Sequence, residues 1–287
     1  MSFVKSLIQK DENISLEKFK GEFRLSPETD LFSGQGRQVC FVDVETTGKN
    51  RKEDGIVELA AKTVSINEKT GEIISIVDQY ESFHDPGFPI SEEASAINGI
   101  SDEMVEGHAI NWERIESIFN SSELIVSHNA SFDRSFLDRE LPLSAQKLWA
   151  CSVNDVGWLS RGFTNLKQEL LCVWHGFYYD SHRAMNDVDA LIYLLTHSLY
   201  PENKPIVELI ENAYIPYYKI SALNSPFETK DKLKSRNYRW NSEHKCWWKK
   251  ISSDQINSEK SWLTEEIYSG YFRGRVDEVS LADKYKD

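Results

Sequence analysis

The chain has 287 residues, a length that suits one large domain and one small domain better than a single average domain. Hydrophobic residues make up 40% of the chain and charged residues 28%, which is enough apolar material for a packed core. The net charge of −13 argues against a protein that coats nucleic acid with its whole surface, although a local basic groove stays compatible with it.

No targeting or membrane segment is indicated by the sequence. No apolar run approaches the roughly 18 residues that a membrane helix needs, and residues 1–10 lack the apolar stretch and cleavage site of a signal peptide. We therefore expect a cytoplasmic protein without membrane contacts. The cysteines form no C-x-x-C pair, so separate reduced thiols are expected at Cys40, Cys151, Cys172 and Cys246.

The first part of the chain predicts an arm followed by strands. Residues 1–36 are mixed and polar and predict a helical or irregular N-terminal arm. Three antiparallel strands are then predicted at 38–44, 56–67 and 72–83, because apolar and β-branched residues recur there and a hairpin turn suits 68–71.

The next part of the chain, to about residue 200, predicts mainly helices. Apolar residues recur every three or four positions over 91–98, 101–105, 111–120, 131–141, 153–160, 166–174 and 186–199. A short buried strand is predicted at 123–127. A meander followed by strand–helix units predicts an α/β domain over 37–200, with a mixed sheet and helices packed on it. Pro201 and Pro205 predict a linker over 201–214, before a small module at 215–287.

The first motif with chemical meaning ends the first strand. Asp43 and Glu45 stand two residues apart, so their side chains leave the same face of the strand, next to a chain reversal at Gly48. Two carboxylates about 4 Å apart repel by roughly 4 kcal/mol at an effective dielectric constant of 20. Such a pair favours a bound cation. The alternative is a solvated strand end with an ordinary turn.

The second motif, 128–133, follows the strand at 123–127 and opens a helix. Asp133 lies near the N-terminus of that helix, where the helix dipole favours an anion. The alternative is that Asn129 or Ser131 caps the helix and Asp133 is simply exposed.

The third motif, 182–187, precedes another apolar helix. Asp187 begins that helix, and His182 lies five residues earlier on the entering loop. A single histidine beside a helix start usually has a structural role. Here it accompanies four acidic positions, which favours a functional role.

The three motifs together resemble the DEDDh exonuclease family, the group that contains the proofreading epsilon subunit of bacterial DNA polymerase III. The resemblance covers about residues 39–199 and keeps the family's order of acid pair, third acid, histidine and fourth acid. Segments 89–94 and 97–104 are also similar to the family's region after its third strand. The resemblance implies a ribonuclease-H-like exonuclease fold. It also implies the histidine subgroup, since His182 stands where other DEDD enzymes carry a tyrosine.

The resemblance further implies a catalytic set of Asp43, Glu45, Asp133, Asp187 and His182. Four carboxylates suit two oxygen-preferring divalent cations per site, Mg²⁺ or Mn²⁺, which can stabilise the attacking and leaving oxygens of an in-line displacement. A histidine, which ordinarily titrates near neutrality, suits a general base for the attacking water. Short polar side chains beside the site are expected to bind the substrate's 3′ nucleotide, namely Thr46, Thr47 and Asn129.

The last 70 residues have a different composition. Between 230 and 250, eight Lys and Arg residues stand against Asp231 and Glu243, a local charge of +6. Aromatic residues interleave with them, a pattern that suits single-stranded nucleic acid. The alternative is a small α+β module whose tryptophans form its core and whose lysines are solvated. The segment also resembles a small module attached to DNA-processing proteins.

The sequence thus predicts a metal-dependent 3′→5′ exonuclease that releases nucleoside monophosphates from single-stranded nucleic acid or 3′ ends, with DNA favoured over RNA. Two alternatives stay open: a non-catalytic nucleic-acid-binding protein on the same fold, and a ribonuclease that trims RNA 3′ ends. The five filled catalytic positions favour an enzyme. The motifs do not distinguish a DNA substrate from an RNA substrate, because both are cleaved at phosphodiester bonds. They also leave open a polymerase partner and the choice between proofreading, repair and degradation.

Overall fold

The computed structural model describes residues 15–26 and 36–286, which form two compact units. The first unit contains the described residues up to Ala213 together with Tyr285 and Lys286, and the second is Tyr214–Lys284. The strands of the first unit are β1 (Glu17–Lys18), β2 (Arg37–Thr46), β3 (Ile56–Ile66), β4 (Ile73–Phe83), β5 (Leu124–Ser127), β6 (Trp149–Cys151) and β7 (Phe177–Tyr178). Its α-helices are α1 (Glu92–Asn98), α2 (Asp102–Val105), α3 (Trp112–Ser121), α4 (Ala130–Glu140), α5 (Gln168–Trp174), α6 (Ala184–Leu195) and α7 (Pro205–Ala213).

A five-stranded mixed sheet forms the centre of the first unit, in the spatial order β4-β3-β2-β5-β6. Strand β3 is antiparallel to both of its neighbours, whereas β5 and β6 continue the sheet in parallel with β2. The predicted meander and the predicted strand at 123–127 are confirmed. The fold class, a mixed α/β sheet with flanking helices, is confirmed with them.

Alternate residues of β2 bury opposite faces of the sheet, and each face has its own core. Val39 and Phe41 pack with α6 and α7, including Val188 and Leu191. Cys40, Val42 and Val44 pack on the other face, with residues of α3 and α4. Every residue of β3 is buried, and this continuous burial includes the polar residues Glu58, Lys62, Thr63 and Ser65. The four cysteines are all buried and free, as predicted.

One predicted helix is wrong, and one strand escaped prediction. Residues 153–160 form turns instead of a helix, and Trp149–Cys151 forms β6 just before them. The Asp155 carboxylate accepts the Cys151 amide at 2.8 Å, and Glu208 accepts the Gly157 amide at 2.9 Å. Glu208 thus takes the Gly157 amide that a helix would direct to residue 153, and glycine itself disfavours a helix.

The predicted linker over 201–214 also differs from the structure. Helix α7 fills most of it, and Ile206, Leu209 and Ile210 are buried in the first unit's core. Pro205 was interpreted as a break. It instead stands at the first helical position, where its missing N–H is harmless and its fixed φ favours a helix.

The predicted arm over 1–36 is only partly covered by the described residues, because 1–14 and 27–35 lie outside them. Residues 15–26 are irregular apart from β1, which pairs in parallel with β7. The ring of Phe19 stacks on Tyr193 of α6, with 4.5 Å between centroids. This segment is therefore attached to the helix that carries the third motif.

The second unit is a small α+β module, as predicted. It contains β8 (Tyr217–Ala222), α8 (Lys230–Ser235), β9 (Arg239–Asn241), β10 (Cys246–Ile251), α9 (Ile256–Trp262) and β11 (Arg275–Val279). The strands form one antiparallel sheet in the order β11-β8-β10-β9. Its core holds Ile220, Leu233, Ile251 and Leu263, with Trp247 and Trp262 packed against it.

No helix within residues 15–26 and 36–286 is long and apolar enough to cross a membrane.

Candidate active site

The site begins with two carboxylates at the end of β2. Asp43 and Glu45 continue the face of β2 that carries Val39 and Phe41, so they point towards the side of the sheet covered by α6. The register between β2 and β3 shifts between Glu45 and Thr46, where β2 leaves its regular pairing. The strand thus aims both acids at one place and then turns away.

The turn after β2 is held by its own side chains. The hydroxyl of Thr47 donates to Asp54 at 2.9 Å, and that of Thr46 donates to the Gly48 carbonyl at 2.6 Å. A Cβ atom on Gly48 would lie 2.5 Å from the Asp54 carboxylate, so a larger residue there would displace the side chain that holds the turn. The two threonines are accordingly almost fully buried.

Asp187 reaches the same place from α6. The Tyr179 hydroxyl donates to its Oδ1 at 2.7 Å, and the His182 amide donates to its Oδ2 at 2.8 Å. Gln168 holds the tyrosine in turn, since its Nε2 donates to the Tyr179 oxygen at 3.0 Å. The carboxylate is therefore fixed in orientation by two donors.

Oxygen atoms of Asp43, Glu45 and Asp187 all lie within 4.8 Å of one another. Burial raises the pKa of Asp43 well above its usual range, and the charges of Asp133 and Asp187 raise it further. Burial also raises the pKa of Glu45 to about 8, with added repulsion from Asp187 and a partial offset by a hydrogen bond from Asn98. The raised pKa values show that ionising these three acids together is unfavourable without a counter-charge. A divalent cation that prefers oxygen ligands would supply that charge.

Asp133 approaches from the other side of β2. It is buried in the first turn of α4, and its Oδ1 accepts the Val44 amide at 3.2 Å. Burial raises its pKa to about 7. Asp133 is not one of the three acids whose oxygens converge within 4.8 Å. It lies close enough, however, for its charge to raise the pKa of Asp43.

His182 lies on the loop that leads into α6. Its side chain is exposed, and its backbone has φ of 65°, a left-handed conformation that histidine adopts more readily than most residues. The next residue, Arg183, forms an ion pair with the buried Glu58 of β3. Two contacts therefore hold the loop. Arg183 attaches it to the sheet, and the His182 amide attaches it to Asp187.

The residues predicted to bind substrate are placed differently from one another. The hydroxyls of Thr46 and Thr47 face the turn and are occupied there. Asn129 is exposed with φ of 67°, and its side chain makes no capping hydrogen bond to α4. The capping alternative therefore does not hold for Asn129, and an exposed Asp133 is also wrong.

Several residues at the site escaped the sequence analysis, namely Glu58, Asn98, Gln168 and Tyr179. Glu58 is the one acid of β3, and a buried acid in a strand indicates a partner. The other three carry no local signal. Their role depends on contacts across 8 residues or more, such as the bond from Tyr179 to Asp187.

The sequence of this chain is similar to part of several bacterial DNA polymerases. The chain is 33% identical over 168 residues to the PolC-type DNA polymerase III of Listeria welshimeri, and 33% identical over 165 residues to that of Bacillus subtilis. These matches cover 56% and 55% of this chain but only 11% of each polymerase. The chain therefore corresponds to about a tenth of the length of these relatives.

Among solved structures, the zinc-bound form of Escherichia coli exonuclease I in complex with single-stranded DNA superposes with a TM-score of 0.53. The match has 14% identity and covers 78% of this chain and 66% of that chain, which shows a shared fold. The exonuclease family model, RNase_T, matches residues 40–195, the stretch that contains all three acidic motifs. This chain is a member of that exonuclease family.

Proposed function

We propose that the chain is a 3′→5′ exonuclease that hydrolyses phosphodiester bonds of nucleic acid and releases nucleoside monophosphates from the 3′ end. The observation that carries the proposal is the convergence of Asp43, Glu45 and Asp187 oxygens within 4.8 Å. Membership of the exonuclease family and the ribonuclease-H-like fold support it.

In this proposal Asp43, Glu45, Asp133 and Asp187 hold two Mg²⁺ or Mn²⁺ ions. Such ions would neutralise the four acids and stabilise negative charge on the phosphate oxygens during in-line displacement. Tyr179 and the His182 amide keep Asp187 oriented for this role. The imidazole of His182 takes a proton from the attacking water, and its exposed position leaves it open to solvent and substrate. Asn129, which is exposed and does not cap α4, contacts the terminal nucleotide in this proposal, and Thr46 and Thr47 contribute through the turn that their hydroxyls hold.

DNA is the proposed substrate in preference to RNA. The relatives are DNA polymerases, and the structural neighbour was solved with single-stranded DNA. A protein partner such as a polymerase, and a role in repair, belong to the same proposal, since the matched polymerases carry the corresponding region within a much longer chain.

The test is digestion of 5′-labelled single strands of DNA and RNA of the same sequence by the full chain, with Mg²⁺, Mn²⁺ or a chelator. We expect stepwise shortening to mononucleotides with either metal, no cleavage with the chelator, and faster cleavage of DNA. A closed circular strand should stay intact, because it has no 3′ end. Binding without cleavage would favour the non-catalytic alternative, and faster cleavage of RNA would favour the ribonuclease. Asp180→Asn is a matched control, because Asp180 is exposed and pairs with Lys18.

A further inference from the structure

The second unit carries a positive charge that the rest of the chain does not share. Residues 214–284 contain thirteen Lys and Arg against ten Asp and Glu, a net charge of +3 on a chain of −13. A positive surface on an otherwise acidic protein indicates a site for a polyanion. The location of that site within the unit can be read from its aromatic side chains.

Three large aromatic residues of this unit are more than half exposed. Phe227 has 76% of its surface accessible, Tyr271 has 66% and Trp240 has 51%, and Tyr271 lies apart in sequence from the basic stretch 230–250 that Phe227 and Trp240 adjoin or belong to. Some aromatic residues of the module belong to its core: Tyr238 is buried, and its ring stacks on Trp262. The alternative in which the tryptophans form the core of the module therefore holds for some of them, such as Trp262, and not for Trp240. Phe227 and Trp240 need another explanation, because aromatic faces in water mark interaction sites.

A continuous stripe joins these two residues. Lys230 lies over the ring of Phe227, with 4.4 Å from Nζ to the centroid. Lys234 follows one helical turn later on α8, and its Nζ lies 6.0 Å from the Trp247 centroid. Trp247 meets Trp240 edge-on at 5.5 Å across β10 and β9. The aromatic–lysine stripe is thus Phe227, Lys230, Lys234, Trp247 and Trp240.

The lysines of the stripe are available to a ligand. Among ion pairs within the described part of the chain, Lys232 of the same helix pairs with Glu266, and Arg236 pairs with Glu259. Neither Lys230 nor Lys234 takes part in any of those pairs. The two cations that border the aromatic rings are therefore the ones on α8 left without an acidic partner.

We propose that the aromatic–lysine stripe binds single-stranded nucleic acid, with bases stacked on Phe227 and Trp240 and phosphates beside Lys230 and Lys234. Flat rings that alternate with lysines match a strand in which bases alternate with phosphates. Positive charge beside the rings adds counterion release to the binding. This is a second binding site, distinct from the carboxylate cluster, and the choice of nucleic acid as ligand rests on the proposed function.

The test measures equilibrium binding of the full chain to fluorescent (dT)20 and (dT)3 in Ca²⁺ without Mg²⁺ or Mn²⁺, at two or more salt concentrations. Phe227→Ala and Trp240→Ala should each weaken (dT)20 binding by roughly 5- to 150-fold, the effect of losing one stacked base. Lys230→Gln with Lys234→Gln should lower the salt slope by about 1.4, roughly 0.7 for each lost phosphate contact. Binding of (dT)3 at the carboxylate site should be unchanged.

Matched controls lie in the same unit. Tyr271→Ala removes an aromatic residue that is 66% exposed but lies outside the stripe, and Lys232→Gln removes a lysine of α8 that pairs with Glu266. Both should bind (dT)20 like the native chain. Phe227→Ala is the decisive single variant, because a side chain so exposed contributes little to folding, and circular dichroism verifies the fold.

Native (dT)20 binding in folded stripe variants would overturn the proposal. An equal loss of (dT)20 affinity in the control variants would also overturn it. A loss of affinity in the lysine variants alone, with heparin bound as tightly as (dT)20, would indicate a general polyanion surface and overturn it too. Tighter capture of an acidic peptide than of (dT)20 would indicate a protein partner and also overturn it. Stripe-dependent binding in a chain without nuclease activity would refute the proposed function alone. Cleavage of (dT)20 with unaltered binding by the variants would refute the stripe alone.

Discussion

The guanidinium of Arg183 donates hydrogen bonds from two of its nitrogens to the carboxylate of Glu58. Nη2 lies 2.8 Å from Oε1 and Nε lies 3.3 Å from Oε2, and the Ala184 amide donates to the same Oε2 at 2.9 Å. Glu58 is buried in β3, whereas Arg183 stands between His182 and the start of α6. One buried acid therefore fixes the loop that carries His182 and the helix that carries Asp187.

Replacing Glu58 should affect both stability and turnover. We expect Glu58→Ala to lower the free energy of unfolding by about 1–3 kcal/mol, since the buried Ala184 amide loses its acceptor. The turnover number should fall while KM changes little, because the loop that orients His182 and Asp187 is released. Chemical denaturation and steady-state kinetics measure the two effects. Glu116→Gln, which alters an exposed acid on α3, should change neither, and a native turnover number in Glu58→Ala would contradict this role.

Tyr179→Phe tests the orientation of Asp187. The variant removes the hydroxyl that donates to Oδ1 at 2.7 Å, and a hydrogen bond to a charged group contributes roughly 1.5–3 kcal/mol. We expect the metal concentration for half-maximal activity to rise about tenfold or more. Titration of activity with Mn²⁺ measures this. Tyr178→Phe, at the exposed neighbouring position, should leave the titration unchanged. An unaltered titration in Tyr179→Phe would show that Asp187 needs no such support.

His182→Ala tests the proposed general base. A positioned base typically contributes about 10²–10⁴-fold in rate, so the turnover number should fall by that order while affinity for metal and substrate is largely kept. Steady-state kinetics across pH 6–9 and equilibrium binding in Ca²⁺ separate the two. His108→Ala removes another exposed histidine of the same unit and serves as the control. Near-native turnover by His182→Ala across this range would leave the histidine with a structural role.

The carboxylate cluster predicts how stability varies with pH in the absence of metal. Its acids have pKa values raised by burial, about 8 for Glu45 and about 7 for Asp133, against about 4.5 and about 3.8 for the unfolded chain. Between these limits the folded state holds protons that the unfolded state has released. The stability of the metal-free protein should therefore fall as pH rises from about 4 to 8.

Thermal unfolding in chelator and in excess Mn²⁺, at pH 5 and at pH 8, measures this dependence. Metal should raise the melting temperature more at pH 8, because the ionised acids are then the ones that need a cation. Asp43→Asn should raise the metal-free melting temperature at pH 8 and abolish most of the metal effect, whereas Asp180→Asn should do neither. A metal effect of equal size in Asp43→Asn would place the ion elsewhere.

The three antiparallel strands, the strand at 123–127 and the positions of the three acidic motifs could be predicted from local sequence patterns, whereas the edge strand β6 could not. Asp43 and Glu45 illustrate why: their shared direction follows from the two-residue period of a strand, which is a local property. Helices with regular apolar spacing were predictable for the same reason. The two wrong predictions arose where contacts beyond the local pattern decide the structure. At 153–160 a helix was predicted, but Glu208 takes the Gly157 amide. At 201–214 a linker was predicted, but Pro205 stands at the first position of a helix.

Contacts between distant residues select the side chains that support the site and leave one surface of the second unit exposed. The contacts of Glu58 with Arg183 and of Tyr179 with Asp187 join residues separated by 125 and 8 positions, and chain spacing carries no trace of either. The sequence likewise assigned all tryptophans of the tail to one pattern. Packing against Leu233 and Ile251 divided them, because a small core has room for some of the rings and leaves Trp240 and Phe227 in water.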